Sequence, residues 1–96
     1  MVYRLSEAAE NDVLNIYADG VKNFGIEQAA RYHKGLKMTL NMLAEYPQSG
    51  KEETAIDPPV RIFTFRSHQI IYSIDDHDIV ILRVLNARQD WKAQLS

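Results

Sequence analysis

Apolar residues in the first half of the chain recur with a helical period. Ala9, Val13, Ile16, Tyr17, Gly20 and Phe24 fall on one stripe, which predicts an amphipathic helix over about Glu7 to Phe24. Ser6 stands just ahead of it, where a hydroxyl accepts an otherwise orphaned N–H of the first turn. Glu7 and Glu10 place negative charge at the positive end of the helix dipole, and Leu5 is positioned as a hydrophobic staple. Gly25 suits a helix stop, because glycine accepts backbone angles closed to other residues. Ala29, Tyr32, Leu36, Leu40 and Leu43 then repeat the same period, predicting a second helix from about Ile26 to Tyr46. Pro47 ends it, since the residue before a proline avoids the helical region. So short a link makes the two helices an antiparallel hairpin. Ahead of them, Val2 to Leu5 reads as a short strand.

The period changes in the second half. Residues 47–59 carry three Pro and one Gly without periodicity and read as a long loop, a class that is often functional. Val60 to Phe65, Gln69 to Ile74 and Ile79 to Leu85 are β-prone runs separated by short polar breaks, which predicts a three-stranded meander. Arg88 to Leu95 reads as a helical tail. The order is β-α-α-β-β-β: an α+β domain spanning 1–96, with the hairpin on one face of a mostly antiparallel sheet.

Strand alternation sharpens this picture. In the last strand Val80, Leu82 and Val84 form an all-apolar set, expected to face the helices. Ile79, Ile81, Arg83 and Leu85 form the other. A guanidinium among such neighbours either meets a carboxylate or lies on a face open to solvent or ligand. Arg61 shares its side with Phe63 and Phe65. The hairpin covers only one face of the sheet, so mixed apolar and cationic groups are expected on the other as a binding surface.

Composition narrows the class. The chain has 96 residues, 46% of them hydrophobic, and no Cys. Disulfide frameworks and thiolate chemistry are therefore excluded. No apolar stretch approaches a membrane span, and no signal peptide is visible, so the expected compartment is the cytoplasm. Eleven Lys+Arg against thirteen Asp+Glu give a net charge of −2, which argues against charge-driven nucleic-acid binding. The distribution is uneven, however. Beyond residue 60, Asp75, Asp76 and Asp78 crowd one turn, while Arg61, Arg66, Arg83, Arg88 and Lys92 face Asp90 alone, so the sheet end is basic.

Candidate chemistry is sparse. Arg61, His68, Tyr72, Arg83 and Arg88 are the groups able to move a proton or stabilise charge, and His68 has the pKa range for acid–base work. The competing reading is structural: His68 ends a strand and Tyr72 packs its neighbour. Asp75, Asp76, His77 and Asp78 resemble metal ligands but lack calcium-loop spacing and read as a hairpin turn. His33 reads as solvated on a helix flank. Met38 and Met42 read as core edge or as an adaptable partner-facing groove. Trp91 reads as a tail anchor or an aromatic contact. No metal or cofactor is called for.

Five segments, YRLSEAAENDVLNIY, FGIEQAARY, LAEYPQSGK, VRIFTFRSHQIIYSI and ILRVLNARQDW, together resemble ParE-type toxins of the RelE/ParE superfamily, in order and over nearly the whole chain. The resemblance implies the β-α-α-β-β-β fold and a type II toxin that blocks DNA gyrase. It implies a cognate ParD-like antitoxin whose C-terminal segment wraps the hairpin and sheet in a hetero-oligomer. RelE-type relatives instead cut mRNA on the ribosome, using basic residues with a tyrosine or histidine on the open sheet face. Arg61 and Arg83 match positions where both branches carry arginine, Arg88 and Asp90 match as well, and Lys51 lies in the loop that holds catalytic lysines in ribonuclease members. One departure stands out. Where the family commonly ends arginine–two aliphatics–histidine, this chain has Arg83-Val84-Leu85-Asn86, and Asn86 is no general base. The expectation is a non-catalytic toxin without sequence-specific nucleic-acid binding. Its target or antitoxin contacts are expected among Arg61, Arg66, His68, Tyr72, Arg83, Asn86, Arg88 and Trp91. A ribonuclease and a non-toxic antitoxin-binding member are the alternatives.

Overall fold

A computed structural model describes residues 2–89 and 91–95, with Lys92 in its backbone only. What was expected of Asp90 and of the Lys92 side chain lies outside the described residues. The elements are β1 (Val2–Leu5), α1 (Glu7–Phe24), α2 (Ile26–Glu45), β2 (Lys51–Glu53), β3 (Val60–Phe65), β4 (His68–Ile74), β5 (Asp78–Asn86) and α3 (Trp91–Leu95). The five strands form one sheet in the order β1-β5-β4-β3-β2. β1 runs parallel to β5 and the other pairs are antiparallel.

The hairpin forms as its periodicity dictates. Ser6 Oγ accepts the Ala9 N–H at 3.0 Å and donates to the Leu82 carbonyl at 2.8 Å, so one hydroxyl caps α1 and fastens it to the sheet. Ser6→Ala is expected to cost about 1 kcal/mol, the usual loss on deleting a cap. A thermal melt lowered by roughly 5 °C checks it. Gly25 joins the helices at φ 90, a conformation closed to side-chain-bearing residues. Ala29, Leu36, Leu40 and Leu43 of α2 are buried together with Ala9 of α1. They pack on Ile70, Tyr72, Ile79, Ile81 and Val84 of the sheet to form the main core.

Three expectations are corrected. First, the 47–59 segment is not structureless. Lys51–Glu53 pairs with Val60–Ile62 as β2, an exposed polar strand that alternation does not reveal because the partner's backbone, and no apolar face, holds it. Second, β5 does not alternate strictly. Tyr72 pairs with Ile81 but Ile71 with Arg83, which leaves Leu82 as the extra residue of a bulge. Ile79 and Ile81, and not Val80 and Leu82, face the helices, and the bulge then shifts the phase so that Val84 joins them in the main core while Leu82 and Leu85 join a second cluster. Third, that second cluster occupies the reverse of the sheet. Val60, Ile71 and Leu85 are covered there by Ile56 of the loop and by Trp91 and Leu95 of α3. The reverse side is thus a small second core and not an open cationic surface, and Trp91 is the tail anchor.

Candidate functional site

The groove between the hairpin and the β3–β4 turn encloses about 690 Å³. Ile16, Gly20, Ala29, Leu36 and Val84 line its floor, and Asp12, Tyr32, Arg66, Ser67, His68 and Asn86 line one end. The chain order explains the gathering. β4 begins at His68, one residue earlier than strand propensity suggests, and His68 pairs with Asn86 at the end of β5. The two-residue turn before it sets Arg66 and Ser67 beside them.

Within that end, the hydroxyl of Tyr32 on α2 is hydrogen-bonded to Nδ1 of His68 at 2.6 Å, with Ser67 Oγ at 3.2 Å from the same phenol oxygen. The Tyr32 ring meets Phe65 and His68 edge-on at 5.2 and 5.5 Å. The Arg66 guanidinium lies 6.0 Å from the centre of the Tyr32 ring and 5.6 Å from that of Phe65, within cation–π range. Arg66 adopts φ 51, a left-handed conformation that a non-glycine residue takes only under constraint.

Burial pushes the His68 imidazole below its ordinary pKa of 6.5, with the Asp12 carboxylate acting weakly the other way. The unfolded chain therefore protonates this imidazole more readily than the folded one. His68 contributes stability that is complete above pH 6.5 and is lost as pH falls through that value toward the depressed folded pKa. Melting curves between pH 5 and 8 should show this step, and His68→Gln should remove it.

Asp12 forms the wall beside Val84. Its carboxylate takes the Arg83 guanidinium through Nε at 2.8 Å and Nη2 at 2.9 Å, and the Val84 N–H at 2.9 Å. β1 pairs with β5 only as far as Ile81, so this carboxylate caps a backbone donor on the uncovered edge of β5. The bond to Asp12 raises the Arg83 pKa further. Of the two alternatives for Arg83, the carboxylate partner is the one realised.

The remaining candidates sit elsewhere. Tyr72 is wholly buried, its hydroxyl donating to the Pro47 carbonyl at 2.7 Å and accepting the Gly50 N–H at 2.8 Å. Burial raises its pKa, opposed by the Gly50 bond and the Arg61 charge. Arg61 donates to the Gly50 carbonyl at 2.8 Å and stands 3.8 Å from Glu52. Tyr72 and Arg61 therefore lock the loop after α2, and a fully buried Tyr72 offers no surface to a macromolecule. The Asn86 side chain accepts the Arg88 N–H at 2.9 Å, and the Asn86 N–H is taken by Gln89 Oε1 at 3.0 Å, closing the turn after β5. Arg88 is exposed there.

The structure thus brings Arg66, His68 and Asn86 into one groove, leaves Arg88 on the adjoining turn, and commits Arg61, Tyr72 and Arg83 to internal bonds. Trp91 lies on the reverse face. The carboxylates of the β4–β5 turn bind Arg4, whose guanidinium reaches Asp75 at 3.2 Å and Asp78 at 3.4 Å. Among the described residues no cluster suited to a metal ion occurs, and no helix is long and apolar enough to cross a membrane. His33 is half-buried against Tyr17 at 5.7 Å, not freely solvated. Met42 packs at the core edge, whereas Met38 is exposed. Tyr32 and Asp12 were not singled out from sequence. Tyr32 reads as one more residue of the core stripe, and Asp12 as one more solvated acid.

Residues 3–91 match the family model for the ParE toxin of type II toxin–antitoxin system, parDE. The chain belongs to the ParE toxin family. Relatives in the family include Toxin ParE1 of Caulobacter vibrioides, 32% identical over 97% of this chain and 96% of that protein. Toxin ParE3 of the same organism is 27% identical over 88% of this chain and 84% of its own length. Toxin ParE1 of Mycobacterium tuberculosis is 28% identical over 92% and 91%. A solved chain from the chromosomal ParDE TA system of P. aeruginosa superposes with a TM-score of 0.77, covering 90% of this chain and 95% of that one at 22% identity. That likeness carries the fold: two helices on a five-stranded, mostly antiparallel sheet.

Proposed function

We propose that this ParE-family toxin acts by binding, inhibiting DNA gyrase and so blocking replication, and that a ParD-like antitoxin neutralises it. Family membership over residues 3–91 carries the reading. The geometry supports a non-catalytic mode. Ribonuclease chemistry requires free cations and an acid–base pair around the scissile phosphate. Of the candidate groups Arg83 is held by Asp12, Arg61 by the Gly50 carbonyl, and Tyr72 is buried, which leaves only His68 and Arg88 of that set available. Asn86, at the position where the family commonly has histidine, has no titratable proton to transfer.

The chain also has surface for partners. Leu14, Phe24, Ile26 and Met38 are all more than half exposed along the hairpin, and apolar patches of this kind mark interaction sites. Arg66, His68, Asn86 and Arg88, at the sheet end of the groove, are the polar groups proposed to contact the target or the antitoxin. Co-expression with the protein encoded beside it tests the pairing. Growth arrest on expression alone, relieved by that neighbour and accompanied by DNA breakage, is the expected result. Codon-linked mRNA cleavage seen by primer extension would instead establish the ribonuclease.

A further inference from the structure

The sheet end of the groove is rich in donors that no carboxylate takes. Among the described residues Arg66 forms no ion pair. Its guanidinium rests on the Tyr32 and Phe65 rings, presented by a left-handed turn residue. Ser67 carries a rotatable hydroxyl beside it. The Tyr32 hydroxyl engages Nδ1 of His68, and the second ring nitrogen, a donor in one neutral tautomer and in the charged ring, has no protein partner among the described residues. The Asn86 side-chain oxygen is used by the Arg88 N–H, and among the described residues no acceptor is found for its NH₂. Among the described residues the acid at this end, Asp12, is already filled by Arg83 and Val84. Four donor side chains from two adjoining strand ends thus converge where acceptors are spent. That is the composition of an oxyanion site, and a guanidinium fork matches a phosphate through two parallel bonds.

The far end of the groove differs. Tyr17 and Phe24 supply aromatic surface there, Asn23 and Gln28 supply carboxamides, each both donor and acceptor, and Asp19 supplies a carboxylate, an acceptor for a base's exocyclic amine and a reason the phosphate sits at the other end. A flat heterocycle with mixed donors and acceptors on its edge fits such walls, since stacking on an aromatic ring is tolerant of which base is stacked. The volume of about 690 Å³ is that of a small-molecule site. We propose that this groove binds a nucleoside monophosphate, its phosphate held by Arg66, Ser67, His68 and Asn86 and its base on the Tyr17–Phe24 side. This goes beyond the toxin reading and does not depend on it.

Calorimetric titration of the full chain with AMP, adenosine, inorganic phosphate and a trinucleotide RNA tests the proposal. AMP should saturate one site. Adenosine and inorganic phosphate should each bind at least tenfold more weakly. Arg66→Gln should weaken AMP at least tenfold and leave adenosine unchanged, and Ser67→Ala, an independent change in the same cradle, should weaken AMP in the same sense. Both positions are exposed, so both variants should melt as the parent does, and the melt is recorded alongside. No saturable AMP binding would overturn the proposal, as would AMP affinity unchanged in both variants. Inorganic phosphate binding as tightly as AMP would remove the base from the site. A trinucleotide binding more than tenfold tighter than AMP would replace the mononucleotide by an RNA strand.

Discussion

Asp12→Ala should lower the melting temperature by on the order of 15 °C. The carboxylate closes three bonds at once, two from Arg83 and one from the Val84 N–H. Deleting it leaves a guanidinium and a backbone donor unpaired at a site where the two side chains are only 23% and 13% exposed. Removing one partner of a fully buried pair costs about 3–5 kcal/mol. The residual exposure here lets water take up part of the loss, which brings the expected cost to about 3 kcal/mol. A domain of this size loses roughly 4–8 °C per kcal/mol. Asp12→Asn separates the contributions. The amide oxygen still accepts the Val84 N–H, so only the charged pair is lost and the cost should fall to about half. Equal melting of the Ala and Asn variants would show that the backbone bond contributes nothing. A melt unchanged in Asp12→Ala would show that α1 is held to β5 by packing alone.

Gly50→Ala should be nearly as damaging, for a steric reason. A Cβ built at Gly50 would lie 2.6 Å from Oη and 2.8 Å from Cε1 of Tyr72. The ring cannot retreat, because it is wholly buried among the residues of the main core. The 47–50 segment must move out instead. It would forfeit the Gly50 N–H bond to Tyr72 and strain the Arg61 bond to the Gly50 carbonyl. Overpacking of this kind costs about 1–3 kcal/mol, and a buried bond left unmade adds about 1–3. The expected total is about 3 kcal/mol, read as a melt lowered by roughly 12–20 °C. Tyr72→Phe in the same background provides the check. Without the hydroxyl the atom nearest that Cβ is gone, so the alanine should be better tolerated there than in the parent.

Most of the fold was legible because its signals are local. The α1 boundaries follow from the Ser6 cap and Gly25, and the helix stripes from a period of 3.6 that tertiary packing then uses. β1 and β3 begin and end where their β-branched and aromatic runs do. What was not legible depends on partners distant in sequence. β2 is three polar residues that become a strand only because β3 offers a backbone edge. The β5 bulge inserts Leu82 with no turn residue to announce it, and everything beyond it changes face. The site divides in the same way. Arg66, His68 and Asn86 share one groove; residue type marks His68, the basic sheet end marks Arg66, and the departure from the family pattern marks Asn86. Tyr32 lies 36 residues from His68 along the chain, and its phenol is indistinguishable in sequence from an ordinary core aromatic. Arg61, Tyr72 and Arg83 are placed differently. Their side chains have the right chemistry for a site, but the fold uses that chemistry to satisfy its own carbonyls and carboxylate.

This division of labour bears on the mode of action. Cations committed to internal bonds hold the loop after α2 and the edge of β5 rigid, while the groove end and the hairpin remain available to partners. This arrangement supports the proposal that the toxin acts through what it binds. The most direct test is a supercoiling assay with purified gyrase, relaxed plasmid and this chain. The account predicts that supercoiling falls as the chain is added, that cleaved plasmid accumulates, and that a cognate ParD-like antitoxin, as proposed, restores activity. Gyrase that supercoils at its full rate in large excess of the chain would contradict it.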